Sequence, residues 1–244
     1  MILRLLHLYP QTLSLYGDRG NIIALKQRAA WRGIEVQLKE LEPGAEYDLR
    51  DSDLIFIGGG QNSDQLRAAE DLQQRSRQLS EVVEEEVVLL AICGGYQLLG
   101  NYYQTEEGRM IQGLGIFDLH TTASRERLTG NILIRAHSLV QSPEVVGFEN
   151  HSGRTHLGKE ATPLGQVILG YGNNGQDQTE GCRYKNAFGT YLHGPLLPHN
   201  PSLADSLLGL ALKRRYGEVQ LKPLDDSLEH QAHQRAVSVT RRKQ

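Results

Sequence analysis

The run Val87-Val88-Leu89-Leu90-Ala91-Ile92-Cys93-Gly94-Gly95-Tyr96-Gln97-Leu98-Leu99-Gly100 constrains this chain more than any other stretch. Its apolar, β-branched first half reads as a strand buried on both faces, the mark of a parallel sheet. Two glycines then permit a sharp turn, and Tyr96 to Gly100 opens a helix. Cys93 is therefore expected on a strained strand-to-helix elbow, projecting above the sheet at a helix N-terminus. Free N–H groups and the helix dipole favour a thiolate there. A lone cysteine beside glycines is more often an inert buried thiol, so the rest of the chain has to decide.

Two further stretches bear on it. Phe188-Gly189-Thr190-Tyr191-Leu192-His193-Gly194-Pro195 is a short aromatic and β-branched run that stops at a Gly-Pro break. It places His193 at a strand tip, where open α/β sheets carry their chemistry. Imidazole suits the removal of a thiol proton and its later delivery to a leaving amine. Leu54-Ile55-Phe56-Ile57-Gly58-Gly59-Gly60 is another buried strand, running into three glycines whose backbone approaches a ligand closely. The Gly60 and Gly94 N–H groups are the candidate oxyanion hole. A phosphate loop is the competing reading, but the lysine and hydroxyl of a Walker A motif and the GxGxxG spacing are absent.

The chain has 244 residues, 39% of them hydrophobic, enough for a core, and a net charge of −3 that gives no basic footprint for nucleic acid. No apolar stretch approaches the ~20 residues of a membrane span, and Met1 to His7 enters a strand pattern without a signal-peptide site, so a cytoplasmic location without membrane insertion is expected. Two cysteines fit a reducing compartment. Cys182 lacks an elbow or metal-ligand spacing and reads as a structural or surface thiol. His151 and His156 lie in what reads as a glycine-rich loop, with no cysteine or carboxylate cluster to complete a zinc set, and no metal is expected.

Strands are expected at Met1 to Tyr9, Ile34 to Leu41, Leu54 to Ile57 and the elbow run, with helices over Gly20 to Gly33 and Asp64 to Glu86. This is a βαβ series. In the second half, Arg109 to Gly115 reads as turn and edge strand. Asn131 to Val140, Glu144 to Asn150, Gln166 to Gly170 and Cys182 to Leu192 read as short strands broken by glycine and asparagine. Leu203 to Tyr216 reads as a helix, and residues 224–244 as a polar tail with a weak helix within Leu228 to Val239. The expected fold is a single α/β domain of flavodoxin-like type over 1–244, its core about 1–220, with a mostly parallel sheet and helices on both faces.

Strand-glycines, strand-Cys-glycines and strand-His in this order resemble the class I, triad-type glutamine amidotransferases, whose CxGxQ elbow matches Cys93-Gly94-Gly95-Tyr96-Gln97. Leu15-Tyr16-Gly17-Asp18-Arg19-Gly20-Asn21, Arg127-Leu128-Thr129-Gly130, Gly147 to Thr155, Gly170 to Gly175 and Gly189 to Leu197 narrow the resemblance to the cobyric-acid-synthase-like branch. Within that branch the chain looks like the glutaminase subunits of lipid II-amidating enzymes. The resemblance implies L-glutamine hydrolysis by a Cys93–His193 dyad. It also implies a heterodimer with a Mur-ligase-like, MurT-type partner, which holds ATP and magnesium and converts the D-glutamate of lipid II to D-isoglutamine for peptidoglycan. This subunit then needs no cofactor and reaches lipid II only through the partner.

Carried over by motif, Gln97 contacts the amino-acid end of the substrate and Arg127 pairs with its α-carboxylate, a role that suits a guanidinium. The triad acid that usually follows the histidine by two residues is missing, because Gly194 and Pro195 stand there. An acid inserted by the partner is one expectation that follows. The alternatives are a subunit serving another acceptor, such as a corrinoid carboxylate, and a non-catalytic regulatory subunit.

Overall fold

The computed structural model describes residues 1–13, 18–60, 62–136 and 144–242. The first half runs β1 (Ile2–Leu8), α1 (Arg19–Ala30), β2 (Glu35–Leu41), β3 (Leu54–Ile57), α2 (Asn62–Gln74), α3 (Ser76–Glu84), β4 (Val88–Ile92) and α4 (Gly94–Leu98). The second adds β5 (Tyr102–Gln104), β6 (Met110–Gln112), β7 (Leu119–Ala136), β8 (Glu144–Leu157), β9 (Gly165–Leu169), β10 (Thr179–Glu180), β11 (Cys182–Tyr184) and β12 (Ala187–Thr190). It closes with α5 (Leu196–His199), α6 (Pro201–Tyr216) and α7 (Ser227–Arg242).

The first sheet has the order β11-β12-β4-β3-β1-β2 and is parallel except for the edge strand β11. Its inner part, β2-β1-β3-β4-β12, is the flavodoxin-like order, in which ligands collect at the carboxyl ends of the strands. Every residue of β3 and β4 is buried, as their unbroken apolar sequence requires. Helix α1 packs on α6, and α6 on β3 and β4. Arg28, on α1 and 4% exposed, binds Asp205 of α6 and Asp226 just before α7. No helix among the described residues is long and apolar enough to cross a membrane.

Several boundaries differ from the sequence reading. The helix expected over Asp64 to Glu86 is interrupted at Arg75, whose N–H is shared between the Asp71 and Leu72 carbonyls while its guanidinium is drawn to Asp71 and the Ala45 carbonyl. The stretch Cys182 to Leu192 is not one strand but the hairpin β11–β12, which turns at Lys185 with φ 51°. The expected short strands around Asn131 and Glu144 belong to a long antiparallel pair, β7–β8, and the expected loop from Asn150 to Thr155 is part of β8. The end of the first of these expected strands, His137 to Val140, lies outside the described residues. Glycines that read as breakers in β8 are there for close packing: a Cβ on Gly147 would meet Leu192 at 2.9 Å, and one on Gly153 would meet Gln97 Nε2 at 2.5 Å. The polar end of the chain folds as α7, whose Val237 packs on Leu133 and Val146 of the long pair.

The second sheet, β10-β9-β7-β5-β6 with β8 on β7, meets the first where Phe148 of β8 bridges His193 just beyond β12. The interior between β12 and α4 has no spare room. A Cβ on Gly189 would stand 2.1 Å from Tyr96 Cδ2, whereas one on Gly130 would meet nothing within 4 Å. Gly189→Ala is therefore expected to destabilise by about 1–3 kcal/mol, the usual cost of overpacking, with Gly130→Ala within about 0.5 kcal/mol of wild type. Denaturant titration of both variants checks this, and equal midpoints would contradict the packing argument.

Candidate active site

Three strand ends and the start of a helix converge on one point. At the end of β4, Cys93 has φ 50° and ψ −104°, a region that costs a non-glycine residue about 1–3 kcal/mol. Neighbouring backbone holds it there: the Cys93 N–H donates to the Thr190 carbonyl (2.8 Å), the Gln97 N–H to the Cys93 carbonyl (3.0 Å), and the Gly95 N–H to the Gly58 carbonyl (3.2 Å). Gly95 has to lack a side chain, because a Cβ would press on Ile57 and the Gly58 carbonyl. The elbow expected from sequence is thus formed between β3 and β12, with Cys93 9% exposed.

His193 follows β12. Its N–H donates to the Phe148 carbonyl (2.8 Å) and its carbonyl accepts the Phe148 N–H (3.2 Å), so the residue is clamped to β8. A Cβ built on Gly59 would lie 3.2 Å from both Cys93 Cβ and His193 Cε1, so thiol and imidazole meet in the space that the missing side chain leaves. Among the described residues, the Gly60 and Gly94 N–H groups donate to no carbonyl. Both remain available to an oxyanion, whereas the Gly59 N–H is taken by Asp18.

Asp18 fills the place that sequence left vacant. Its Oδ1 stands 3.5 Å from His193 Nδ1, its Oδ2 accepts the Gly59 N–H at 2.8 Å, and the residue is fully buried. An orienting carboxylate is therefore present within this chain, at the start of α1 rather than after the histidine. Asp18 stands at the start of α1, where such a residue ordinarily caps its own helix, yet it makes no side-chain cap bond. The signal was in the motif ending Asp18-Arg19-Gly20-Asn21. Gly20 is the contact point with Pro195, Asn21 accepts the Leu197 N–H, and the motif's Leu15 to Gly17 lie outside the described residues.

Burial opposes an imidazolium at His193, but charge on Cys93 together with hydrogen bonding to Asp18 and Cys93 outweighs it and pushes the pKa up to about 10. At neutral pH the ring is an imidazolium between a sulfur and a carboxylate. A strained cysteine, a charged histidine, a buried acid and two free N–H groups can carry out acyl transfer from an amide.

Residues 4–201 match the CobB/CobQ-like glutamine amidotransferase domain. The chain belongs to that family. It is 43% identical over 232 residues to the lipid II isoglutaminyl synthase (glutamine-hydrolyzing) subunit GatD of Staphylococcus aureus, covering 95% of this chain and 93% of that one. It is 40% identical to the subunit of the same name from Streptococcus pneumoniae, covering 93% and 87%. A solved glutamine amidotransferase structure superimposes with a TM-score of 0.57 at 17% identity, over 84% of this chain and 98% of that one, a likeness of fold.

The remaining residues singled out in this amidotransferase fall into two groups. Arg127 is exposed in a bulge of β7 between Ala123 and Leu128, with Nε on Asn150 Oδ1 (2.9 Å) and an Nη on the Asn150 carbonyl (3.0 Å). Gln97 is buried, its Nε2 donating to the Tyr191 hydroxyl and its Oε1 accepting from Gln65 Nε2, both at 3.0 Å. Its amide thus has protein partners at both ends. A Cβ on Gly94 would meet Gln65 Nε2 at 2.3 Å, so this glycine makes room for Gln65. His151 is buried and stacked on Tyr191 at 3.6 Å, and His156 stacks on His120. Among the described residues no three His, Cys, Asp or Glu are grouped to hold a metal ion. Cys182 is buried, and burial pushes its thiol up to about 12.

Glu180 was not singled out from sequence. Fully buried, it accepts from the Thr190 hydroxyl and the Tyr191 N–H, and burial raises its pKa from 4.5 to about 8. The folded state therefore holds a proton that the unfolded state releases between those values, so this group's contribution to stability falls as pH rises from about 4.5 to 8. Glu180→Gln, which keeps an acceptor for Tyr191 and turns its amide toward Thr190, is expected to flatten that decline. Melting temperatures of both proteins from pH 5 to 8 test it; parallel curves would contradict it.

Proposed function

We propose that this chain is the glutaminase subunit of a lipid II-amidating enzyme, supplying ammonia to a Mur-ligase-like, MurT-type partner that binds ATP and magnesium. The observation that carries the reading is the convergence of Cys93 and His193, at the ends of adjacent strands, with Asp18 at the start of α1. Its acceptor assignment is supported by near full-length similarity to subunits named for lipid II isoglutaminyl synthase. Heterodimer formation and a cytoplasmic location follow from the same reading, and this subunit itself holds no cofactor.

The Cys93 sulfur attacks the side-chain carbonyl carbon of L-glutamine, and the developing oxyanion takes hydrogen bonds from the Gly60 and Gly94 N–H groups. His193 passes its proton to the nitrogen as the C–N bond breaks, releasing ammonia and leaving a γ-glutamyl thioester. A water then gives a proton to His193 and attacks the thioester. Collapse of that intermediate releases glutamate, and sulfur and imidazolium return to their starting state. Asp18 holds the ring so that the nitrogen facing Cys93 carries the transferable proton. Arg127 pairs with the α-carboxylate of glutamine, while Gln97 positions Gln65 and Tyr191 beside the elbow.

Two substitutions test the reading. In the complex, Cys93→Ala is expected to abolish glutamine-dependent amidation of lipid II while sparing amidation driven by free ammonium chloride. Retained glutamate release in this variant would refute the nucleophile assignment. In the isolated chain, Asp18→Asn is expected to lower kcat for glutamate release roughly 10- to 100-fold with little change in KM, because a Cys-His pair keeps part of its general acid–base catalysis without an orienting acid. An unchanged kcat, with a fall only when a partner carboxylate is removed, would return the orienting role to the partner.

A further inference from the structure

Glutamine's amide carbon is what Cys93 attacks, and its α-carbon lies three bonds away, so the charged atoms of the amino-acid end lie roughly 4–6 Å from the reacting carbon and the groups that read them about 3 Å farther. Such groups lie beyond hydrogen-bond reach of the sulfur but within its electrostatic field. Two buried side chains near the elbow carry no step of the reaction as derived above.

Tyr103, in the middle of β5, is 3% exposed. Across the second sheet it shares a row with Thr121 and Thr155, whose hydroxyls run through the Tyr191 hydroxyl to Gln97, one helical turn past Cys93. The ring therefore faces the elbow. The hydroxyls of the other buried tyrosines, Tyr9, Tyr96 and Tyr191, are all hydrogen-bonded, whereas that of Tyr103 has no partner among the described residues. Burial raises its pKa, with the negative charge at Cys93 adding and Arg127 opposing, so the hydroxyl keeps its proton and lies within the fields of both residues. A tyrosine hydroxyl without a partner among the described residues, on the face of the sheet that carries the hydroxyl chain to Gln97, is a place for an acceptor on a ligand.

Gln65 supplies the complement. It is 4% exposed and lies against Gly94, its Nε2 is held by Gln97, and its Oε1 is buried with no donor. An α-amino acid offers what each group lacks, a carboxylate for the phenol and an ammonium for the amide oxygen.

We propose that Tyr103 and Gln65 read the amino-acid end of glutamine, the Tyr103 hydroxyl donating to the α-carboxylate beside Arg127 and Gln65 Oε1 accepting from the α-ammonium. This rests on the glutaminase reading, and the test separates the two. Glutaramic acid retains the carboxylate but lacks the ammonium, and 4-aminobutanamide retains the ammonium but lacks the carboxylate. Tyr103→Phe is expected to raise KM about tenfold for L-glutamine and glutaramic acid, the loss of one hydrogen bond to a charged group, leaving kcat and all kinetics with 4-aminobutanamide near wild type. Gln65→Leu is expected to show the opposite selectivity, with a penalty on L-glutamine and 4-aminobutanamide and none on glutaramic acid. Penalties that do not depend on which end the substrate carries, or no penalty at all, overturn the proposal while leaving the glutaminase reading intact. A wild-type chain that releases no ammonia from glutamine overturns both.

Discussion

The close approach of α1 to the turn after His193 is the contact on which the rest of the site depends. A Cβ on Gly20 would stand 2.4 Å from Pro195 Cγ, so the helix starts where only a glycine fits. Asn21 accepts the Leu197 N–H at 2.8 Å, and at the far end Arg28 is bound to Asp205 and Asp226. Held at both ends, α1 cannot withdraw from His193 without breaking buried charge-assisted bonds. Asp18, two residues before Gly20, is delivered to the imidazole by this docking. It forgoes a helix cap worth about 1 kcal/mol, an amount offset by its bond to the Gly59 N–H and its pairing with a charged ring.

The parts of this arrangement legible in the sequence were those written in short runs. Continuous apolar residues announced β3 and β4, and the glycines after them announced two turns, because burial on both faces and close backbone approach each leave a local composition. His193 was legible from the Gly-Pro break that ends its run. Asp18 was not, since its partnership with His193 joins chain segments far apart, and an aspartate ahead of a helix looks like an ordinary cap. The strand character of Asn150 to Thr155 was hidden for a related reason. Gly153 and Gly147 suggest a loop when read alone, yet each is small because Gln97 or Leu192 occupies the space beside it. In Cys182 to Leu192 the hairpin was concealed because Lys185, not glycine, takes the positive φ.

Two carboxyl groups lie near the end of β12, and their surroundings give them different work. Glu180 binds Thr190 and Tyr191 in a fully buried site and, with its pKa near 8, is largely protonated at neutral pH. Asp18 faces an imidazolium and accepts a backbone N–H from the glycine loop. The protonated acid does not compete for the charge on His193, so the ring answers to Asp18 on one side and to sulfur on the other. Environments that separate two acids in this way let one act as structure and the other as an electrostatic partner.

Strand β8 connects the chemistry to the recognition of substrate. Its Phe148 peptide clamps His193, and its Asn150, two residues on, holds the Arg127 guanidinium. With a rise of ~3.3 Å per residue, these points lie roughly 6–7 Å apart along the strand, a span on the scale of glutamine from its amide to its α-carboxylate. The pairing of β8 with β7 is regular from Phe148 to His151, and the surplus residues of the bulge fall in β7, between Ala123 and Leu128. The strand that sets the spacing stays regular, while its neighbour bends to release Arg127 from the pleat.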